Sequence, residues 1–307
     1  QSVGCGVLMT DRFIDIQSDS FVRVRNGCLQ IDIPEENSVS IPLKEIESVV
    51  IHAPRPKITS SALAAFGAHG IAPVFFDDKH VPTGILVPLS AHHASSERLR
   101  WQSEAPAGMR NRNWQAIVKS KIQNQHRVLN KFNRDGHSLN SLVKKVRSGD
   151  PTNIEARASR FYWGHLFNDR SFRRSDSSHW LNHRLNYGYA ILRSLTVSAI
   201  TTRGLHPGLG LHHHNKYDPH PLASDLMEPF RPIVDELVAE IEGDTAENLR
   251  HVLSRDTKKH LAGLSMVLVP KNGRSVSVPV ALREVTDSLV HVFRERTGTI
   301  DLPQWCE

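Results

Sequence analysis

At 307 residues the chain is long enough for one large domain or two modest ones, and its formal net charge of +6 suits a polyanionic partner. Its three cysteines, Cys5, Cys28 and Cys306, are scattered, odd in number and without CxxC spacing, which argues against a thiolate metal site and for a reducing compartment. No apolar run approaches the roughly 20 residues of a membrane span, and Asp11 and Arg12 come too soon for a signal peptide, so the expectation is a cytoplasmic protein with no membrane partner.

Residues 1 to about 90 read as mostly strand. Phe21 to Arg25 and Cys28 to Ile33 alternate around Asn26-Gly27, a type I′ hairpin signal. Val39 to Ile41, Ile46 to His52, Ile71 to Phe76 and Gly84 to Val87 are further short strands. Between them Thr59 to His69 predicts one short helix, with Thr59 or Ser60 as N-cap and Gly70 as its stop. Sheet edges in such a domain need covering, which makes it a plausible dimer interface.

The polar stretch Pro88 to Ser96 changes the character of the chain, and helical periodicity follows. Arg112 to Arg134 predicts a long amphipathic helix with Trp114, Ile117, Val118, Ile122, Leu129 and Phe132 on its apolar side. Lys119, Arg127, Lys131 and Arg134 form a second stripe, which reads either as a solvated face or as a track for phosphates. Asp150-Pro151-Thr152 opens a helix to about Phe167, Trp180 to about Arg203 is another, and Gly204 ends it. Helix resumes near Leu222 and runs to about Glu242, interrupted at Pro229 and Pro232. Ala246 to Leu253 and Ala281 to Arg296 are further helices, with a hairpin over Met266 to Val280 between them.

The chemistry concentrates in Gly204 to Pro232, GLHPGLGLHHHNKYDPHPLASDLMEPFRP, where five histidines fall within fifteen residues. Pro207, Gly208, Gly210, Pro219 and Pro221 keep the first part a shaped loop. Asp225 and Glu228 follow at i, i+3 and can face one point from a helix. At most one or two of His212, His213 and His214 can share that point. Upstream, Thr152-x-x-Glu155 fits a capping box, in which Glu155 would reach back to an orphan amide. No serine, tyrosine or cysteine has a convincing nucleophile setting, so direct in-line displacement is favoured over a covalent intermediate.

The pattern G-L-x-P-x-x-G-L-H-H followed by D-L-M-E-P-F-R-P resembles the signature of the Cas-one family of CRISPR-associated adaptation integrases. The helices EARASRFYWGHLF (Glu155 to Phe167) and LNYGYAILR (Leu185 to Arg193), and the segment ITSSALAAFGAHGIAPVFFDDKHVPTGILVP, are similar to family segments in the same order. The HHH and DLMEPFRP wording is most similar to members from type II systems. The resemblance covers most of the chain and is weakest after about Glu242.

The resemblance implies an α+β fold: a small N-terminal β-domain (1–90) for dimerisation and duplex contact, then a larger, mostly α-helical catalytic domain (91–307). By the same resemblance Glu155, His213 and Glu228 match the family's catalytic metal ligands, with Asp225 and His212 as neighbouring groups or alternative ligands. Two carboxylates and an imidazole suit Mg²⁺ or Mn²⁺ better than a closed zinc site. Lys119, Arg127, Lys131, Arg134 and Arg231 are candidate DNA contacts. The implied partners are prespacer and leader–repeat duplex, a second copy of the chain, and a small ferredoxin-like Cas-two subunit, two dimers around one partner dimer. The implied reaction is transesterification by a prespacer 3′-hydroxyl at the repeat boundaries. Hydrolysis of branched DNA by the same site is the alternative.

Overall fold

The computed structural model describes residues 7–10, 13–46, 48–77, 82–88, 92–167, 169, 171–241 and 253–305. It is an α+β protein in which strands come first and helices follow. The sheet elements are β1 (Val7–Thr10), β2 (Phe13–Ile16), β3 (Phe21–Arg25), β4 (Cys28–Asp32), β5 (Val39–Pro42), β6 (Ser48–Ile51), β7 (Lys57–Ile58), β8 (Val74–Phe76) and β9 (Pro82–Ile85). They make a mixed five-stranded sheet, β1-β2-β6-β8-β9, and a four-stranded sheet, β5-β4-β3-β7. Asn26 and Gly27 both take positive φ, as a type I′ turn requires, and set the β3–β4 register. Helix α1 (Ser60–Ala68) is capped by Thr59, whose side chain accepts the Ala62 N–H, and Gly70 leaves it at φ +69°.

Strand alternation divides the five-stranded sheet between two cores. Ile14, Ile16, Val49 and Ile51 face the N-terminal core with Val22, Leu29, Ile31 and Phe66. Phe13 and Val50 face the other way, into the core of the helical region. Both β2 and β6 are therefore buried throughout. Polar links cross the same boundary: buried Asp15 accepts from the Tyr187 hydroxyl at 3.1 Å and bonds His52 Nδ1 at 2.7 Å.

The helical region comprises α2 (Ser95–Ser103), α3 (Ala107–Lys131), α4 (His137–Val143), α5 (Ile154–Leu166), α6 (Trp180–Thr202), α7 (Pro221–Met227), α8 (Arg231–Glu240), α9 (Arg255–Ala262) and α10 (Val278–Glu295). A 3₁₀ turn, Glu228–Phe230, joins α7 to α8 where Pro229 removes an amide donor. A hairpin of β10 (Leu268–Lys271) and β11 (Arg274–Ser277) turns at Asn272-Gly273, both at positive φ. Most of α6 is buried, and it packs against the sheet, α7, α8, α9 and α10.

Several helix limits differ from those the sequence predicts. The long helix starts at Ala107, just after Pro106, and stops at Lys131. Helix α5 begins at Ile154 because Asp150 and Asn153 both take left-handed φ and cannot belong to it. Helices α4 and α9 were not expected; both are short, with too few turns for a clear period. The helix expected over 246–253 lies almost wholly outside the described residues.

Where α6 crosses α8 the contact has no room for a methyl group. A Cβ on Gly188 would sit 2.5 Å from Val234 Cγ1. Gly188→Ala is therefore expected to destabilise the fold by about 1–3 kcal/mol despite its gain in helix propensity. In denaturant unfolding, Val234→Ala should recover part of that loss; strict additivity of the two changes would show that the crossing is not the cause.

Candidate active site

Glu155 sits in the first turn of α5, and that turn needs nothing from its side chain. Asp150 accepts the N–H groups of Ile154 and Glu155, each at 2.9 Å, and the Asn153 side chain accepts from Ala156. The Thr152–Glu155 capping box is thus replaced by Asp150 and Asn153. The Glu155 carboxylate turns instead toward α3, where it accepts from Lys121 and from Ser159 Oγ at 3.0 Å.

Glu228 approaches the same ammonium from the 3₁₀ turn. Its Oε2 lies 2.7 Å from Lys121 Nζ and its Oε1 lies 3.2 Å from Arg231 Nε. Asn124 donates to the Pro229 carbonyl at 3.0 Å and fixes the turn against α3. Burial alone would raise the Glu228 carboxyl; the positive charges of Arg231 and Lys121 outweigh it and hold the pKa below the ordinary value. Lys121, itself buried, is held above its ordinary value by Glu228 and Glu155 against the same desolvation.

The histidine loop is built on one carboxylate. Asp225, fully buried on α7, accepts the N–H groups of Leu211 (2.6 Å), His212 (3.1 Å) and His213 (3.2 Å). It also receives His213 Nδ1–H at 2.6 Å, which raises that imidazole's pKa and leaves Nε2 as its outward nitrogen. A Cβ on Gly210 would lie 2.7 Å from the His213 carbonyl oxygen and 3.0 Å from Asp225 Oδ2, so the loop closes only around a glycine. Upstream, buried Gln102 donates to the carbonyls of His206 and Leu209 and accepts the His206 N–H.

This framework separates the three adjacent histidines. His212 stacks on Trp114 with ring centroids 4.3 Å apart and planes 2° from parallel. His213 meets the edge of the same indole at 5.3 Å, and His214 is exposed and turned back on the His213 carbonyl. His213 and Glu228 are close enough for each to feel the other's charge. Among the described residues, no three His, Cys, Asp or Glu side chains converge closely enough to hold a metal ion. Glu155 and Glu228 meet across the Lys121 ammonium instead.

Around them the charges alternate. Arg231 and Arg174 lie over the Tyr189 ring, at 5.1 and 5.4 Å from its centroid. The Tyr189 hydroxyl donates to Asp235, which is fully buried. Burial pushes Asp235 up to about 7, against the Tyr189 hydrogen bond and the charges of Arg174 and Arg231. Arg174, Arg231 and Tyr189 also border a cleft of about 700 Å³, lined further by Arg193, His220 and exposed Tyr217.

The basic stripe on α3 is partly consumed inside the protein. Arg127 pairs with Glu236, and Lys131 pairs with Glu236 and Glu240, all from α8. These two residues brace α3 against α8, and Lys131 stays exposed while doing so. Lys119 is half-buried, and by helical periodicity it points away from Lys121. Arg134 is half-buried beyond the helix end. Sequence reasoning missed Lys121, Gln102 and Asp150. Lys121 was visible in principle, because residues 114, 118, 121 and 125 fall on one helical stripe and a lysine inside it is anomalous.

The family model described as CRISPR associated protein Cas1 matches residues 15–251. The chain is 32% identical over 255 residues to a CRISPR-associated endonuclease Cas1 from Neisseria meningitidis, covering 82% of each chain. Its fold matches a casposase bound to integration product, with a TM-score of 0.76 at 18% identity over 95% of this chain and 93% of that one. A Cas6-RT-Cas1–Cas2 complex also matches, at TM-score 0.70 and 19% identity, over 97% of this chain and 36% of the longer one.

If Asp225 is the clamp, replacing it loosens the loop first. In Asp225→Asn the amide nitrogen faces two donors, and the loss should be about 2–5 kcal/mol of stability. Hydrogen exchange at Leu211, His212 and His213 should rise well above that of α6; unchanged exchange there would rule the clamp out. Asp235 makes a second prediction. Its folded pKa, about 7, lies above the ordinary 3.8. The folded state therefore binds the extra proton, and stability from this group is full below about pH 4 and lost as pH rises through about 7. Asp235→Asn should gain melting temperature relative to wild type between pH 5 and pH 8; a flat difference would contradict the buried-acid assignment.

Proposed function

The chain belongs to the CRISPR associated protein Cas1 family, and from that premise we propose that it is a divalent-metal-dependent DNA integrase of CRISPR adaptation. The observation that carries the reading is the meeting of Glu155 and Glu228, from separate helices, on one buried cation beside the His213 loop. The Lys121 ammonium already stands where a positive charge is needed, and two carboxylates with an imidazole nitrogen are ligands that Mg²⁺ or Mn²⁺ accepts. Glu155, Glu228 and His213 Nε2 are the groups that would hold it. Such an ion, when bound, supplies Lewis-acid polarisation of the scissile phosphate and eases loss of the attacking hydroxyl's proton.

The chain's own residues do the rest. Asp225 keeps His213 in the tautomer that leaves Nε2 free for a ligand. Arg231 and Arg174, fixed over Tyr189, offset the charge that gathers on the phosphate as it becomes five-coordinate. In the reaction the 3′-oxygen of the incoming strand forms a bond to phosphorus, the target P–O3′ bond breaks, and the departing 3′-oxygen takes up a proton. One phosphodiester replaces another, so no nucleotide cofactor is consumed.

Prespacer and leader–repeat duplexes are the substrates in this reading. The chain works as a homodimer, two dimers flanking one dimer of a small Cas2-type subunit, in the cytoplasm. A casposase of the same fold bound to integration product supports the DNA substrates, and a fold-matched Cas6-RT-Cas1–Cas2 complex supports the Cas2-type partner. Among the described residues no helix is long and apolar enough to cross a membrane. The name endonuclease, carried by the curated relative, favours hydrolysis as a second activity of the same site, with water in place of the 3′-hydroxyl.

Labelled prespacer duplex, mixed with supercoiled plasmid carrying a leader and repeat, Mn²⁺ or Mg²⁺ and the small partner, should become joined to the plasmid. Glu155→Ala, His213→Ala and Glu228→Ala should each cut joining by roughly a hundredfold or more. Cutting without joining would leave the nuclease in place of the integrase. Full activity in Glu228→Ala would remove Glu228 from the ligand set.

A further inference from the structure

Resting on that reading of the site, we infer that Lys121 is its resident counter-ion: the ammonium holds Glu155 and Glu228 together until a metal binds, and must then leave the gap. Two ionised carboxylates held close together away from bulk water need a cation between them, or else a shared proton. Lys121 is that cation. It is 7% exposed and touches both acids, while Glu228 is 5% exposed. The neighbouring cation, Arg231, engages the other oxygen of Glu228, so Oε2 faces Lys121.

The bonding makes Lys121 exchangeable. What is lost on separation is an ion pair to Glu228 and a charge-assisted hydrogen bond to Glu155, and another cation can replace both. A divalent ion between the same carboxylates would repel the ammonium and take both oxygens. The lysine stem is flexible, and the small cleft that Lys121 borders together with both acids extends to Gln125, Ser159 and Trp163, which gives its head room to move. Lys121 thus acts through the two acids, as a positioning residue and a competitor for the metal.

The test uses the full chain, freed of metal by chelation. Mn²⁺ affinity, followed by electron paramagnetic resonance, should tighten about tenfold in Lys121→Met, the same order as other changes beside a metal's ligands. A merely structural lysine would, when removed, weaken binding or leave it unchanged. Lys121→Gln keeps a hydrogen-bond donor, one bond shorter, without the charge, and should tighten Mn²⁺ binding too if Lys121→Met does not fold. In wild type, acylation of Lys121 read by peptide mass spectrometry should be low without metal and rise on adding Mn²⁺, and Glu228→Gln should abolish the rise. Affinity that stays or falls in the Lys121 variants, with His213→Ala and Glu228→Gln still losing Mn²⁺, overturns the counter-ion and spares the metal site. Wild type that takes up no Mn²⁺ overturns both.

Discussion

Asp225 carries its carboxylate with no surface exposed to water, and four donors converge on it from a single tripeptide. A buried carboxylate so surrounded is costly to disturb, because removing it leaves several N–H groups without partners at once. That one requirement fixes the path of residues 210–213, which have no regular secondary structure of their own. Gly210 is needed because the chain must pass against both the clamp and the His213 carbonyl. The stacking of His212 on Trp114 is a consequence, since the three peptide N–H groups set the direction of the side chains between them.

The same constraint, that buried charges come in balanced sets, organises the remaining acids. Glu155 and Glu228 share Lys121, Glu228 adds Arg231, and Asp235 has Tyr189 with Arg174 and Arg231 nearby. Apart from Glu228 with Arg231, each pairing joins elements far apart in sequence: α3 to α5, α3 to the turn after α7, α6 to α8. The site is therefore not an appendage on a finished fold. The charges that would handle a phosphate are also those that hold the helices at their separations, and this is why Lys121 sits deeper than a surface lysine would.

Local sequence showed a good part of this. Asn26-Gly27 and Asn272-Gly273 marked their hairpins because only such residues enter positive φ cheaply. Helix α6 was legible from its long apolar period, and Pro229 marked the break beside Glu228. Resemblance singled out Glu155, His213 and Glu228, and it left Asp225 beside them. What local pattern could not show was partnership at long range. Thr152-x-x-Glu155 has the form of a capping box, yet Asp150 and Asn153, both left-handed, cap the helix instead. Arg127 and Lys131 had the spacing of an exposed stripe, and only the placement of α8 reveals Glu236 and Glu240 against them.

Helix α6 connects these local arrangements to the sheet. Tyr187 and Tyr189 are two residues apart, about 200° around the helix, so they face opposite ways. Tyr187 donates to Asp15 on β2, inside the five-stranded sheet; Tyr189 donates to Asp235 beside the acids of the site. Gly188, between them, lets α8 close against α6 without displacing either ring. Because β2 and β6 are buried on both faces, the sheet cannot shift against α6 without opening one of the two cores. The rotation of α6, and with it the position of Tyr189 under Arg174 and Arg231, is thus fixed from the N-terminal sheet. A change at Asp15 or His52 acts on the site through packing, although neither residue touches it.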